Sequence, residues 1–147
     1  MALDEKKIKK KIQAVLDTIS PGEFVCEERK NRGKSAINKP VDLQISLRSQ
    51  PDNALICIEV ADVNSTQLVN EATRLFFDCC YRKILILGTN NVPQTTGKNI
   101  CEDVLKRFYG QDDIKFTPAR VILYNENFEK DFEEEVEKIL REFLVRY

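Results

Sequence analysis

Histidine is missing from all 147 residues of this chain. Its absence excludes a His-activated nucleophile, the H-E-x-x-H zinc site and phosphodiester cleavage with imidazole as general base. Any metal must then be held mainly by oxygen, which favours magnesium, manganese or calcium. The five cysteines, Cys26, Cys57, Cys79, Cys80 and Cys101, include no C-x-x-C pair, and several stand among apolar residues where a free thiol is a small core group. Neither zinc nor a disulfide framework is expected. No apolar run reaches the length of a membrane span, and the charged, amphipathic N-terminus lacks the apolar centre of a signal peptide. A cytosolic protein without a membrane partner is expected. Internal repeats and low-complexity tracts are lacking too. Gly88-Thr89-Asn90-Asn91 follows a strand pattern but has neither the glycines of a P-loop nor its Lys-Ser/Thr ending.

What the chain does have is enough apolar material for one domain and an uneven distribution of charge. With 42% hydrophobic and 32% charged residues, it fits a single globular unit over residues 1–147. Net charge is −1, yet residues 1–50 carry 11 Lys/Arg against 7 Asp/Glu, or +4, and the remainder 12 against 17, or −5. A polyanion could approach the basic half without the whole protein being basic; a solvated surface accounts for the same counts.

Hydrophobic periodicity divides the chain into nine elements. Asp4 to Ile19 is a helix with Ile8, Ile12, Val15, Leu16 and Ile19 on one stripe and lysines over much of the rest, ended by Ser20-Pro21-Gly22. A strand over Phe24 to Arg29 and a basic loop, Lys30-Asn31-Arg32-Gly33-Lys34-Ser35, lead to a hairpin. A helix capped within Asp62-Val63-Asn64-Ser65 then runs to about Tyr81, with Leu68, Val69, Ala72, Leu75, Phe76, Cys79 and Cys80 inward and Gln67, Asn70, Glu71, Arg74 and Asp78 outward. Lys83 to Gly88 is a buried strand that the crossover would place parallel to its predecessor. A helix over Asn99 to Tyr109, a strand over Ala119 to Tyr124 and an acidic helix from Asn125 complete the order α-β-β-β-α-β-α-β-α.

The hairpin is the most informative stretch. In Val41 to Leu47 the residues Val41, Leu43, Ile45 and Leu47 share one face and Asp42, Gln44 and Ser46 the other; in Ala54 to Ala61, Ile56, Ile58 and Val60 oppose Leu55, Cys57, Glu59 and Ala61. A tight loop at Gln50-Pro51-Asp52-Asn53 would set Asp42 opposite Glu59 or nearly so. Like charges facing each other across a sheet cost up to about 1 kcal/mol. A divalent cation would relieve that, and so would a solvated face with lysines nearby.

The segment Lys39-Pro40-Val41-Asp42-Leu43 followed by Leu55-Ile56-Cys57-Ile58-Glu59-Val60, after an opening helix and within a three-strand meander, resembles the PD-(D/E)XK nuclease superfamily, most closely archaeal Holliday junction resolvases and restriction-endonuclease-like domains. The resemblance covers residues 3–88 or so and implies an α/β fold: an αβββαβ core, a mixed central sheet flanked by helices, and here an αβα extension over 89–147. It implies that Asp42 and Glu59 are catalytic and hold Mg2+ or Mn2+, with Glu5 of the first helix assisting as a further ligand and Glu23, just after that helix, as the competing match. Gln67 would stand beside the site. Where that family has lysine two residues after the glutamate, this chain has Ala61. Such a group supplies about 3–4 kcal/mol of transition-state stabilisation. Lys39, which strand alternation turns away, and Lys34, on the basic loop, are the candidates for a displaced amine.

Three functions follow as expectations. One is metal-dependent phosphodiester hydrolysis, with nucleic acid as substrate and DNA favoured over RNA. The second is a lapsed enzyme that binds phosphates through its basic first helix and the Arg29 to Lys39 segment, Lys30, Arg32, Lys34 and Lys39 among them. The third is a protein-interaction domain, such as a homodimer, using Phe77 or the terminal Phe143-Leu144-Val145-Arg146-Tyr147; ordinary core packing explains the same residues.

Overall fold

A computed structural model describes residues 4–29, 43–62, 67–78, 80–88, 94–125 and 128–144. Its elements are α1 (Glu5–Ile19), β1 (Phe24–Glu28), β2 (Leu43–Leu47), β3 (Ala54–Asp62), α2 (Leu68–Phe76), β4 (Arg82–Gly88), α3 (Gln94–Tyr109), β5 (Ala119–Tyr124) and α4 (Glu129–Leu144), with a 3-10 turn at Ile114–Phe116 before β5. The strands form one mixed sheet in spatial order β1-β2-β3-β4-β5: the first two pairings are antiparallel and the last two parallel. The expected α-β-β-β-α-β-α-β-α order and mixed sheet are present, and β5 of the presumed extension continues the same sheet.

The two faces of the sheet are covered by different helix pairs. Period-two alternation sends Leu43, Ile45, Ile56, Ile58, Ile84, Ile86 and Ile122 to one side, where they meet the stripes Ile8, Ile12, Leu16 of α1 and Phe132, Val136, Leu140 of α4. On the other side Ala61, Leu85, Leu87 and Val121 meet Leu68, Ala72 and Leu75 of α2 and Cys101 and Leu105 of α3. Each fully buried aliphatic side chain contributes about 1.5–3 kcal/mol.

Local chemistry sets the boundaries of these elements. Asp4 caps α1, its Oδ1 accepting from the Lys6 and Lys7 amides at 3.1 and 3.2 Å. Gly22 has φ +77°, a conformation that disfavours side chains, and makes the turn into β1 that Ser20-Pro21-Gly22 suggests. The hairpin turn is anchored by Arg48, whose Nε donates to the Gly22 carbonyl at 3.1 Å.

Apart from α3, which begins at Gln94 and not at the expected Asn99, three expectations are corrected. First, the polar face of β2 is not solvated: Gln44 and Ser46 are buried, and the Gln44 amide donates to the Pro51 carbonyl at 2.9 Å. The loop closing the hairpin supplies that acceptor. Second, α2 ends at Phe76 instead of Tyr81, because the Asp78 amide turns back to the Leu75 carbonyl and the Asp78 carboxylate accepts from the Cys80 amide at 3.0 Å. Third, the inward face of α2 is rotated from the apolar count: Val69 is 51% exposed while Arg74 is only 9% exposed. The polar residues of β3 on that side draw Arg74 inward.

The first helix is also less free than its lysines suggested. Lys7 and Lys11 reach Glu129 at 2.9 and 3.1 Å, and Lys11 also reaches Glu133 at 3.3 Å, so part of its charge is met by α4. Phe143 and Leu144 are buried in the core, the packing explanation, and Val145 to Tyr147 lie outside the described residues. Phe77 is half exposed beside Phe76 and Phe108. No helix among the described residues is long and apolar enough to cross a membrane.

Candidate functional site

Alternation along β3 turns Cys57, Glu59 and Ala61 toward the α2 side of the sheet, opposite Ile56 and Ile58. There the helix presents Glu71 and Arg74, one turn apart, to the glutamate. Glu59 is 2% exposed, and Arg74 Nη1 donates to its Oε1 at 2.6 Å and to Glu71 Oε2 at 2.9 Å. Glu59 Oε2 is buried without a hydrogen-bond partner among the described residues.

Burial and, next, the Glu71 carboxylate push Glu59 up to about 8, against the pull of the Arg74 guanidinium. Two carboxyl groups and one guanidinium, with a single proton among them, make a neutral set. That set can anchor α2 to β3. Because a guanidinium does not give up its proton in proteins, Arg74 can stabilise negative charge but cannot serve as a base.

A second group lies on the same face two residues earlier in β3. Cys57, Asp78 and Cys80 place their ligand atoms within 4.8 Å of one another, a grouping that could hold a metal ion. Arg29, buried just beyond β1, donates from Nη1 to Cys57 Sγ at 2.6 Å and to both Asp78 carboxylate oxygens at 3.2 Å. Cys80 is drawn below the ordinary thiol range, first by the hydrogen bond from Cys57 and then by Arg29 and Lys83, although burial opposes this. Cys57, which gives that hydrogen bond and has no solvent exposure, is pushed far up. Cys26 and Cys101 are pushed up to about 12 by burial and behave as core residues.

Of the expected site residues that are described, Glu59 is found in this polar layer and Glu5, Glu23 and Gln67 are not. Glu5 is exposed in the first turn of α1, on the helix layer across the sheet from the Glu59 carboxylate. Glu23, its competitor, is exposed in the turn after α1 and hydrogen-bonds Ser20. Gln67 is exposed at the start of α2, where its side chain makes no cap hydrogen bond. Asp42, Lys30, Arg32, Lys34 and Lys39 lie outside the described residues. The neighbouring register pairs Leu43 with Ile58, the positions adjacent in sequence to Asp42 and Glu59.

Glu71, Arg74, Asp78, Arg29 and the Cys57–Cys80 pair were not anticipated as site residues. A signal for the helix residues does exist: Glu71, Arg74 and Asp78 recur at helical spacing, and β3 carries Cys57 and Glu59 on one face. Arg29 gives no such signal, since only the tertiary fold brings it against Cys57 and Asp78. No family model, curated protein or solved structure matches the chain.

Proposed function

We propose that the chain is a restriction-endonuclease-like domain that no longer cleaves phosphodiesters and binds nucleic acid, DNA in preference to RNA, through the basic residues Lys30, Arg32, Lys34 and Lys39. Support for the ancestry comes from a meander of three strands between helices, a crossover into a parallel fourth strand, and a glutamate on the third. The observation that carries the loss of cleavage is the buried contact of Arg74 with Glu59.

A magnesium or manganese site needs several oxygen ligands open to water and substrate phosphate. At Glu59 the described oxygens come from two carboxyl groups that share a guanidinium, in a desolvated setting that favours a proton on Glu59. That set does not fit either ion. Ala61, where the family's lysine stands, leaves no amine on β3 to orient water. The binding half of the reading rests on the +4 excess of residues 1–50. It centres on the 30–39 segment, which holds four basic residues and no acid, whereas Lys7, Lys11 and Arg29 already have acidic partners.

The test has two arms on the full chain. Wild type incubated with magnesium or manganese should leave duplex, branched and single-stranded DNA uncut. Fluorescence anisotropy should show DNA binding that weakens steeply with salt, with a shallower salt slope when Lys30, Arg32, Lys34 and Lys39 are replaced together by alanine. Metal-dependent cleavage abolished by Glu59→Gln would overturn the first half, and the absence of salt-dependent binding would overturn the second.

A further inference from the structure

We propose that Cys80 and Cys57 are a hydroperoxide-reactive thiol pair, in which Cys80 is oxidised first and Cys57 closes a disulfide with it. The site is independent of nucleic-acid binding. It is assembled from three separate parts of the chain: the residue after β1, the middle of β3 and the turn between α2 and β4. The two sulfurs belong to a group of ligand atoms within 4.8 Å of one another, and Cys80 Sγ also approaches the Ala54 carbonyl at 3.7 Å. Cys80 is 7% exposed and Cys57 not at all, so a small oxidant meets Cys80 first.

Arg29 is the reason to read the pair as reactive. Its guanidinium lies 2.6 Å from Cys57 Sγ and is buried with the thiols, so a thiolate shared between the two sulfurs has a cation within hydrogen-bond reach. Asp78 holds that guanidinium and also accepts the Cys80 amide hydrogen, which fixes both partners with one carboxylate. Cys26 and Cys101 have no such setting: both are buried in the apolar layers with thiols pushed up to about 12.

The same arrangement argues against a metal. A divalent ion among Cys57, Asp78 and Cys80 would stand against Arg29, which already donates to Cys57 and to both oxygens of Asp78. The positive charge that the site can accommodate is therefore present in the protein itself.

The chemistry balances with a hydroperoxide as two-electron oxidant. The Cys80 thiolate attacks one peroxide oxygen, the O–O bond breaks, and the leaving alkoxide or hydroxide takes a proton to depart as alcohol or water. Cys80 is then a sulfenic acid. The Cys57 sulfur attacks the Cys80 sulfur, the S–O bond breaks, and the departing hydroxide leaves as water with the Cys57 proton. Two thiols lose two electrons in forming one disulfide, and the peroxide gains them.

Hydrogen peroxide itself is the probe, added to the reduced, desalted full chain after its metal content has been measured. The expected result is less than one-tenth equivalent of metal, loss of two thiols per chain, and a linked peptide pair containing Cys57 and Cys80 at two mass units below the reduced sum. Cys79→Ser should keep that link, Cys57→Ser should trap sulfenic acid on Cys80, and Arg29→Met should slow wild-type oxidation about tenfold. Circular dichroism checks that the variants fold, and the wild-type peptide map stands without them. Both cysteines remaining reduced in folded wild type at excess peroxide would overturn the proposal. So would a stoichiometric metal that survives desalting and shields both thiols.

Discussion

The two faces of the sheet are built on different principles. Toward α1 and α4 the strands present mostly Ile and Leu, with Phe24, Cys26 and Tyr124, and the helices answer with apolar stripes. A buried charge interrupts this layer: Arg120 of β5 packs over Phe143 and pairs with Glu142 of α4 at 2.6 Å. Toward α2, β3 presents Cys57 and Glu59 between apolar neighbours, and each has a buried arginine within hydrogen-bond distance: Arg29 for the thiol and Arg74 for the carboxyl. An apolar face requires volume and shape. A polar face requires every charge to find its partner, so stability there depends on proton occupancy as well as packing.

The largest effect should come from Arg74→Ala. It leaves Glu59 and Glu71 together without their guanidinium and should cost about 3–5 kcal/mol in urea unfolding at neutral pH. The loss should shrink on acidification, when both carboxyls can be protonated. On the apolar face, Ile45→Ala should cost about 2–4 kcal/mol, with no dependence on pH beyond that of wild type. Equal pH profiles for the two variants would erase the contrast between the faces.

Glu59→Gln sharpens the comparison with a smaller change. The folded value of Glu59 stands near 8 and its ordinary value at 4.5, so between these limits the folded chain keeps a proton that the unfolded chain has released. The unfolded state therefore binds fewer protons, and the contribution of Glu59 to stability, full below pH 4.5, declines as pH rises through about 8. Glutamine copies the protonated form. It should cost under about 1 kcal/mol at pH 5 and make the protein more stable than wild type above pH 8. Thermal unfolding across pH would reveal the crossing, and parallel profiles would show that Glu59 is not the titrating group.

The smallest effect should lie outside both faces. Lys11→Met removes exposed and half-exposed pairings with Glu129 and Glu133 and should cost under about 1 kcal/mol, a difference that fades in high salt.

The same contrast explains what could be read from the sequence. Where apolar stripes meet the α1 and α4 layer, periodicity locates the elements closely: α1 begins one residue from its expected start, β5 has its expected span, and the α4 stripe from Phe132 to Leu144 is inward. The helix α3 departs, beginning at Gln94 instead of Asn99, because its first turn is polar and carries no apolar period. Over α2 the reading was less accurate. Hydrophobicity alone ranks Val69 inward and Arg74 outward, yet the partner of this helix is a strand carrying Glu59 and Cys57, and Arg74 is the buried one. A buried hydrogen bond from Arg74 overrides the single-helix pattern, and its acceptor, Glu59, lies on another element. Likewise the Cys57–Cys80 pair bridges positions with no recognisable spacing, and the turn holding Cys80 exists because Asp78 captures its amide.

The contact between α1 and α4 ties the first helix to the last. Lys11 and its partners Glu129 and Glu133 are 118 and 122 positions apart in sequence, whereas the strands stand in space in the order in which they occur along the chain. Strands can therefore add one at a time to a growing edge, each closing a comparatively short loop. The stripe of α1 has no complete cover until α4 arrives, because both pack into one layer over the sheet. Closing so long a loop carries an entropic cost that grows only logarithmically with length, which helps when half the chain is already ordered. On this view α4 acts as a latch: the helix that completes the apolar layer also fixes the first helix in place.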